Sequence, residues 1–256
     1  MEVRIRIGGQ PPAGARRALR KRWFGFAAGW LMAAAALAAS PGQGENSGAP
    51  ARSTRIAAND VLDDAKSTVW LNIPVFSQIL LLPYPRGFVS VFDSVKTGFF
   101  IQEFVPKGQT TENWTEMVTV TGERNRAVQG NLSPADVSDG KAGAFQRSCP
   151  DSFAGTRFND VPLGPYPADV IVLSCGNVLR AETGKPPTRA YSESALIIVI
   201  QGERDYYTVQ WAERGKPSRT PLRIDNTLWS DRIQKMIPIK LCPVVPGASQ
   251  IAHCAP

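Results

Sequence analysis

The sequence is almost without histidine. Its one imidazole, His253, lies three residues from the carboxyl terminus and directly before Cys254. Ser-His-Asp triads, Cys-His pairs and multi-histidine metal sites all require an imidazole held by neighbouring side chains. We therefore expect none of these chemistries, and we interpret His253 as an exposed residue beside a disulfide, neither catalytic nor metal-binding.

Motifs for cofactor chemistry are missing as well. The sequence contains no P-loop, no G-x-G-x-x-G, no G-x-S-x-G elbow and no C-x-x-C. These motifs position phosphates, nucleophilic serines and redox thiols. We expect a protein without a cofactor, and an enzyme only if folding brings carboxylates together. Asp93 and Glu103, which flank neighbouring predicted strands, are the candidates for such carboxylate chemistry.

The first 39 residues have the pattern of an export signal. Seven Lys or Arg and one Glu occupy residues 1–22, and an uncharged apolar run follows over 23–39. Ala36 and Ala38 form an Ala-x-Ala cleavage site. The pattern predicts a periplasmic or secreted protein, exported by the Sec or the twin-arginine route. The alternative is an uncleaved inner-membrane anchor at 23–39, the chain's sole membrane contact, which at about 1.5 Å per residue is shorter than the ~30 Å hydrocarbon core.

Removal of the leader changes the electrostatic interpretation. The whole chain has 29 basic and 22 acidic residues and a net charge of +7. Without the leader, 22 basic and 21 acidic residues remain, a net charge of +1, and no basic run is left. We therefore expect no nucleic-acid partner, since such binding depends on clustered positive charge.

The remaining sequence predicts one folded domain. Residues 40–59 are rich in Gly, Pro, Ser and Ala, a composition typical of a flexible linker. Residues 60–256 contain dense apolar residues and are long enough for a single core. Short strands are predicted at 88–92, 99–105 and 114–121, in an antiparallel meander, and at 169–174.

Two helices and a hairpin complete the predicted fold. Ser133 and Pro134, with Asp136 three residues after the cap, predict a helix that ends near Arg147. Asp225 or Asn226 begins a second helix, which ends at Pro238. Residues 195–200 and 206–212 form a hairpin that we place toward the sheet edge. The class is α+β, an antiparallel β-sheet packed with two or more helices.

All four cysteines, an even number, lie after the leader, which favours two disulfides in an oxidising compartment. Three pairings are possible. We prefer Cys242 with Cys254, which closes the tail, and Cys149 with Cys175, which ties the first helix to a strand. Reduced buried thiols are the alternative.

Aromatic residues on predicted strands offer a binding surface. We expect Trp114, Tyr206, Tyr207 and Trp211 to be partly exposed and able to form a groove for a lipid, a peptide or a glycan. The alternative is that they belong to the core.

Two resemblances accompany these patterns. The succession of strands and helices resembles the PsbP/Mog1 superfamily, which implies a small antiparallel sheet packed between helices. The segments ENWTEMVTV and DYYTVQWAER resemble uncharacterised exported proteobacterial proteins, a group that implies compartment and fold but no activity.

The sequence therefore predicts a non-enzymatic, exported protein of the bacterial envelope, which binds an envelope partner or ligand that the sequence does not identify, or supports an envelope assembly. A carboxylate-based hydrolase acting on envelope material is one alternative. A carrier of a small apolar ligand is another, and it predicts an enclosed apolar pocket between sheet and helix.

Overall fold

The computed structural model describes residues 69–179, 190–244 and Cys254. The predicted leader, the predicted linker and His253 lie outside these residues. Within the described part of the chain, no helix has the length and apolar character needed to cross a bilayer. The strands are β1 (Val69–Val75), β2 (Gln78–Tyr84), β3 (Phe88–Lys96), β4 (Phe99–Pro106), β5 (Glu116–Glu123), β6 (Phe153–Phe158), β7 (Ala168–Leu179), β8 (Ala190–Gln201), β9 (Tyr206–Gly215) and β10 (Lys240–Pro243), and the helices are α1 (Pro134–Ser148) and α2 (Asn226–Met236).

The strands form two antiparallel sheets, so the α+β class is confirmed. The larger sheet has seven strands in the order β3-β4-β5-β9-β8-β7-β6, and the smaller has three in the order β1-β2-β10. The predicted meander is β3 to β5, and the predicted hairpin is β8 to β9, with Leu196 opposite Trp211. The smaller sheet, from the hairpin β1-β2 and the late strand β10, was not predicted.

Both helices begin at the residues that the sequence indicates. Ser133 Oγ accepts a hydrogen bond from the Asp136 amide at 3.2 Å, and Asp136 accepts one from the Ser133 amide at 2.8 Å. This capping box satisfies amides that the helix itself leaves unpaired. At the second helix, Asp225 is the cap, because its carboxylate accepts hydrogen bonds from the amides of Thr227 and Leu228.

The larger sheet separates two cores. On one face, the smaller sheet and α2 enclose the main core, to which α2 contributes its buried stripe of Trp229, Ile233 and Met236. On the other face, α1 packs over β7 and β8 and covers a second core. The result is three layers: α1, the seven-stranded sheet, and the smaller sheet with α2.

The predicted position of the hairpin at the sheet edge is wrong. Strand β9 is the fourth of seven strands, flanked by β5 and β8. Its face with Tyr206 and Thr208 is buried as well. Because a central strand is paired on both sides and covered on both faces, polar residues there do not indicate solvent.

Candidate functional site

The four aromatic residues predicted to form a partly exposed surface are buried. The exposed fractions of Trp114, Tyr206, Tyr207 and Trp211 are 8%, 2%, 0% and 4%. Tyr207 and Trp211 belong to the core between the two sheets, whereas Trp114 and Tyr206 belong to the core on the α1 side. The expected exposed surface is therefore wrong, and the four side chains face two different layers.

A groove lies where the end of β2, the start of β3 and the second half of α2 meet. Its volume of about 590 Å³ lies in the range of small-ligand pockets. Trp70, Tyr84, Phe88 and Trp211 line it, and we call it the aromatic groove. It is open to solvent, unlike the enclosed pocket that a carrier of a small apolar ligand requires.

The floor of the aromatic groove is built around Trp211. Phe88 meets the indole edge to face, with ring centroids 5.9 Å apart, and the Arg232 guanidinium lies 5.0 Å from the indole centroid. Arg232 is held there because its Nε donates to Glu213 at 2.6 Å and its Nη2 lies 3.5 Å from Glu116. Among the described residues, the buried Trp211 Nε1 has no hydrogen-bond partner. A buried donor without a partner is uncommon in a folded protein.

The segment Pro83-Tyr84-Pro85 forms the wall of the aromatic groove opposite α2. Proline has no amide hydrogen, so Pro85 cannot continue the ladder of β2, and the chain turns through Gly87 at φ +79° into β3. This turn places Tyr84 and Phe88 beside the same groove. Burial raises the pKa of Tyr84 to about 12, further from physiological pH than the ordinary value of 10, at which the hydroxyl is already neutral.

The charged residues of the aromatic groove are three cations and one carboxylate. Arg86 and Lys235 are exposed at its edges, while Arg232 and Glu116 lie deeper. The uncharged lining is mostly apolar and includes three prolines, Pro83, Pro85 and Pro238. Lys235 is paired with Asp231 at 2.7 Å, and Arg232 with Glu213 at 2.6 Å, so the groove presents mainly an apolar, aromatic surface.

Of the aromatic residues that line this groove, the sequence indicated Trp211 as a binding residue but not Trp70, Tyr84 or Phe88. The available signal was the pair of prolines around Tyr84 just before strand β3. Proline has no amide hydrogen and is disfavoured inside a central strand, so Pro85 indicates where β2 ends.

A second cluster surrounds Arg214 on the opposite face of the larger sheet. The guanidinium lies between two rings, 3.6 Å from the Trp114 centroid and 4.1 Å from the Tyr191 centroid. Its Nε donates to Glu193 at 3.1 Å, and its Nη2 donates to the Tyr191 hydroxyl at 3.1 Å. Burial raises the pKa of Glu193, and the charge and hydrogen bond of Arg214 oppose that rise. The Arg214 guanidinium stacked on the Trp114 ring covers one of its faces, which contributes to the burial of Trp114.

Glu103 lies on β4, directly opposite Thr119 of β5 and beside an irregularity in β3 between Ser90 and Phe92. Its side chain is 1% exposed, and Oε1 has no hydrogen-bond partner among the described residues. Burial raises its pKa to about 7, against the opposing charge of Arg214. A carboxyl group with this pKa is suited to general acid catalysis, but its burial puts it out of reach of a substrate.

The predicted carboxylate pair does not form. Asp93 is exposed and lies opposite Gln102, whereas Glu103 lies opposite Phe92. Consecutive strand residues face opposite sides of a sheet, so the two carboxylates point away from each other. Glu103 also lies within β4 and is buried, so it does not flank the strand as the sequence suggested.

The spacing Ser-x-x-Lys, known from serine nucleophiles, occurs at Ser138 and Lys141 on α1 and was missed in the sequence. Ser138 is fully buried, and its hydroxyl has no hydrogen-bond partner among the described residues. Burial also lowers the pKa of Lys141. Because no base is bonded to the hydroxyl and no substrate reaches it, Ser138 acts as a packing residue beside Ala142.

Both disulfides form with the preferred pairing. Cys149 is joined to Cys175, with Cα atoms 5.8 Å apart, and Cys242 to Cys254, with Cα atoms 5.7 Å apart. The first ties the end of α1 to β7, and the second ties Cys254 to β10. In the described ranges, no three His, Cys, Asp or Glu residues are grouped so as to hold a metal ion.

Comparisons with known proteins give little further information. No protein-family model and no curated protein matches the sequence. Among solved structures, the chain is similar to LpqN of Mycobacterium tuberculosis, which is described as involved in cell envelope biogenesis. The identity is 14% and the TM-score 0.37, over 69% of this chain and 91% of LpqN. A likeness this weak establishes neither a shared fold nor a shared function.

Proposed function

We propose that this chain is a disulfide-stabilised, non-enzymatic binding module of the bacterial envelope, and that the aromatic groove holds its partner or ligand. The observation that carries the proposal is the composition of the groove: four aromatic side chains around an open cavity of about 590 Å³. Aromatic side chains bury a large apolar area with few rotatable bonds, and they dominate the energetics of many binding sites.

The location outside the cytoplasm is supported by two independent features. All four cysteines are paired, and disulfides persist in oxidising compartments. The basic and apolar segments of residues 1–39 have the order of an export signal. Together they support a periplasmic or secreted module.

The two alternative functions are less well supported. A carboxylate-based hydrolase needs two acids that reach one substrate, whereas Asp93 faces solvent and Glu103 is enclosed. A carrier of a small apolar ligand needs an enclosed cavity, whereas the aromatic groove is open and contains charged side chains.

Site-specific photo-crosslinking tests the groove. A photoreactive phenylalanine analogue replaces Arg86 at the groove edge or, as the matched control, the exposed Asp93 on the neighbouring strand. The full chain is produced in the organism that encodes it and irradiated in living cells. We expect an adduct of defined mass from position 86 and none from 93. No adduct from 86, or equal adducts from both positions, contradicts the proposal.

The same preparation tests the compartment through its intact mass. We expect a chain that starts at Ala39 and has four oxidised cysteines. A chain with its leader intact and four free thiols contradicts export.

A further inference from the structure

Two acidic side chains of the described residues are almost completely buried, Glu103 and Asp205, each 1% exposed. Asp205 accepts hydrogen bonds from the amides of Ser77 and Asn125, whereas Oε1 of Glu103 has no hydrogen-bond partner in this part of the chain. A buried carboxylate is tolerated where donors surround it, and a buried carboxyl group without them is favoured in its neutral form. Ionisation therefore has different consequences at the two positions.

The residues beside Glu103 in the sheet give it no charged partner. Glu103 lies opposite Phe92 of β3 on one side and Thr119 of β5 on the other. The charge that acts on Glu103 is that of Arg214 on β9, whose Nε donates to Glu193 at 3.1 Å. Arg214 opposes the effect of burial but does not cancel it, since burial has the larger effect.

Strand β3 is held on one side only. It is the edge strand of the seven-stranded sheet, and β4 is its one partner among the described strands. The register of this pair shifts between Ser90 and Phe92, beside the position of Glu103, and Phe92 is 43% exposed. Segments with exposed backbone hydrogen bonds and few buried apolar contacts open at the lowest free energy. We expect β3 to open before the central strands do.

We infer that ionisation of Glu103 loosens β3 at the sheet edge, so that the aromatic groove is complete in acid and weakened above neutral pH. The strand links the two places, because its first residue, Phe88, lines the groove and meets Trp211 edge to face. The inference rests on the proposed function, since it names a regulation of the same groove.

The direction of the effect follows from the two states of the carboxyl group. In the closed strand burial raises the pKa of Glu103 to about 7, and in an open strand the pKa returns toward the ordinary 4.5. The closed state therefore binds the proton more tightly, and its advantage is complete below pH 4.5 and is lost as pH rises through 7. Between pH 5 and pH 8 the ratio of open to closed strand should rise, by about 70-fold at most.

Hydrogen exchange followed by mass spectrometry measures this ratio in the full chain. After correction for the intrinsic pH dependence of exchange, we expect the amides of β3 to lose about tenfold or more in protection between pH 5 and pH 8, relative to those of the central strand β8. Glu103→Gln should remove this difference. Glu103→Met is also neutral at every pH and makes the same test if glutamine prevents folding.

Asp93→Asn is the matched control, because it removes an exposed carboxylate from β3 itself and should leave the pH dependence unchanged. No loss of protection at pH 8, an equal loss in β3 and β8, or a loss that persists in the neutral Glu103 variants overturns the inference.

The photo-adduct from position 86 connects the strand to the groove. We expect its yield to fall about threefold or more when the medium is changed from pH 5.5 to pH 8, and Glu103→Gln to remove the fall. An equal yield at both pH values overturns the inference and leaves the proposed function standing. If β3 opens with rising pH but position 86 gives no adduct, the proposed function fails while the effect of Glu103 on the strand stands.

Discussion

Phe88 and Trp211 meet edge to face, with ring centroids 5.9 Å apart and an angle of 60° between the ring planes. The contact joins the first residue of the edge strand β3 to the central strand β9, although β4 and β5 separate these strands within the sheet. It gives the aromatic groove a floor that belongs to the main core. The groove is therefore fixed in place by packing that the fold itself requires.

Glu103→Gln should stabilise the protein above neutral pH. The folded pKa of about 7 lies above the ordinary value of 4.5, so the folded state holds the proton more tightly than the unfolded state. The contribution of Glu103 to stability is therefore complete below pH 4.5 and is lost as pH rises through 7. Glutamine stays neutral, so the stability gained by the variant should grow between pH 5 and pH 8, by at most about 3 kcal/mol.

Urea unfolding at the two pH values, with both disulfides intact, measures this difference. Asp93→Asn on the neighbouring strand is the control, since Asp93 is exposed. A gain from Glu103→Gln that is equal at pH 5 and pH 8 contradicts the account of Glu103.

Arg214→Met should destabilise the fold by about 2 kcal/mol, because it leaves Glu193 without its charged partner and empties the space between two rings. Both side chains keep about a fifth of their surface exposed, so solvent screening reduces the cost below that of a fully buried pair.

A double-mutant cycle with Glu193→Gln separates the ion pair from the ring stacking. Arg214→Lys should recover part of the loss, since lysine restores the charge but not the planar group between the rings. Full recovery by lysine would show that the stacking contributes nothing.

Removal of either disulfide should cost about 3 kcal/mol. The chain-entropy model makes the cost larger for the longer loop, and the two bridges span 26 and 12 residues. We therefore expect the Cys149→Ser, Cys175→Ser pair to be less stable than the Cys242→Ser, Cys254→Ser pair by about 0.7 kcal/mol. Thermal unfolding of the two double variants tests the order, and the reverse order contradicts it.

Asp205→Asn should lower the free energy of unfolding by about 2 to 4 kcal/mol. The buried carboxylate accepts hydrogen bonds from the Ser77 hydroxyl at 2.5 Å, the Ser77 amide at 3.0 Å and the Asn125 amide at 2.6 Å. Burial alone would raise its pKa, but these bonds outweigh burial and hold the pKa below its ordinary value. The amide of asparagine replaces one acceptor oxygen by a donor and removes the charge.

Asp205 also joins distant parts of the chain, since Ser77 follows Phe76, and both Phe76 and Asn125 have positive φ angles. The comparison is chemical denaturation of Asp205→Asn beside that of the exposed Asp151→Asn. Equal stability of the two variants would show that the network is dispensable.

Local chemistry was sufficient to predict several elements of this fold. The Ser133 capping box, the Asp225 cap and the apolar run of β8 each depend on neighbours in sequence, and each was predicted close to its observed place.

The position of β9 was not predictable in the same way. Its polar tyrosines are typical of a strand that is partly exposed to solvent. In the structure, however, the Tyr206 hydroxyl donates to the Leu132 carbonyl at 2.5 Å, and the Tyr207 hydroxyl donates to the Val75 carbonyl at 3.2 Å. Partners 74 and 132 residues away satisfy these hydroxyls inside the protein.

The candidate site was less predictable than the fold. The aromatic groove combines residues of β1, β2, β3, β5, β9 and α2. No pattern of neighbouring residues in the sequence indicates that these elements meet. The burial of Glu103 was not predictable from its neighbours in sequence, because it depends on what covers the sheet.

The most direct measurement is the yield of the photo-adduct from position 86 in two further variants of the exported chain. Phe88→Ser removes a wall of the aromatic groove, while Phe92→Ser removes an exposed phenylalanine from the same strand outside it. With folding of both variants verified by their thermal midpoints, we expect Phe88→Ser to reduce the adduct at least fivefold and Phe92→Ser to leave it unchanged. Equal yields from the two variants would contradict the assignment of ligand binding to the groove.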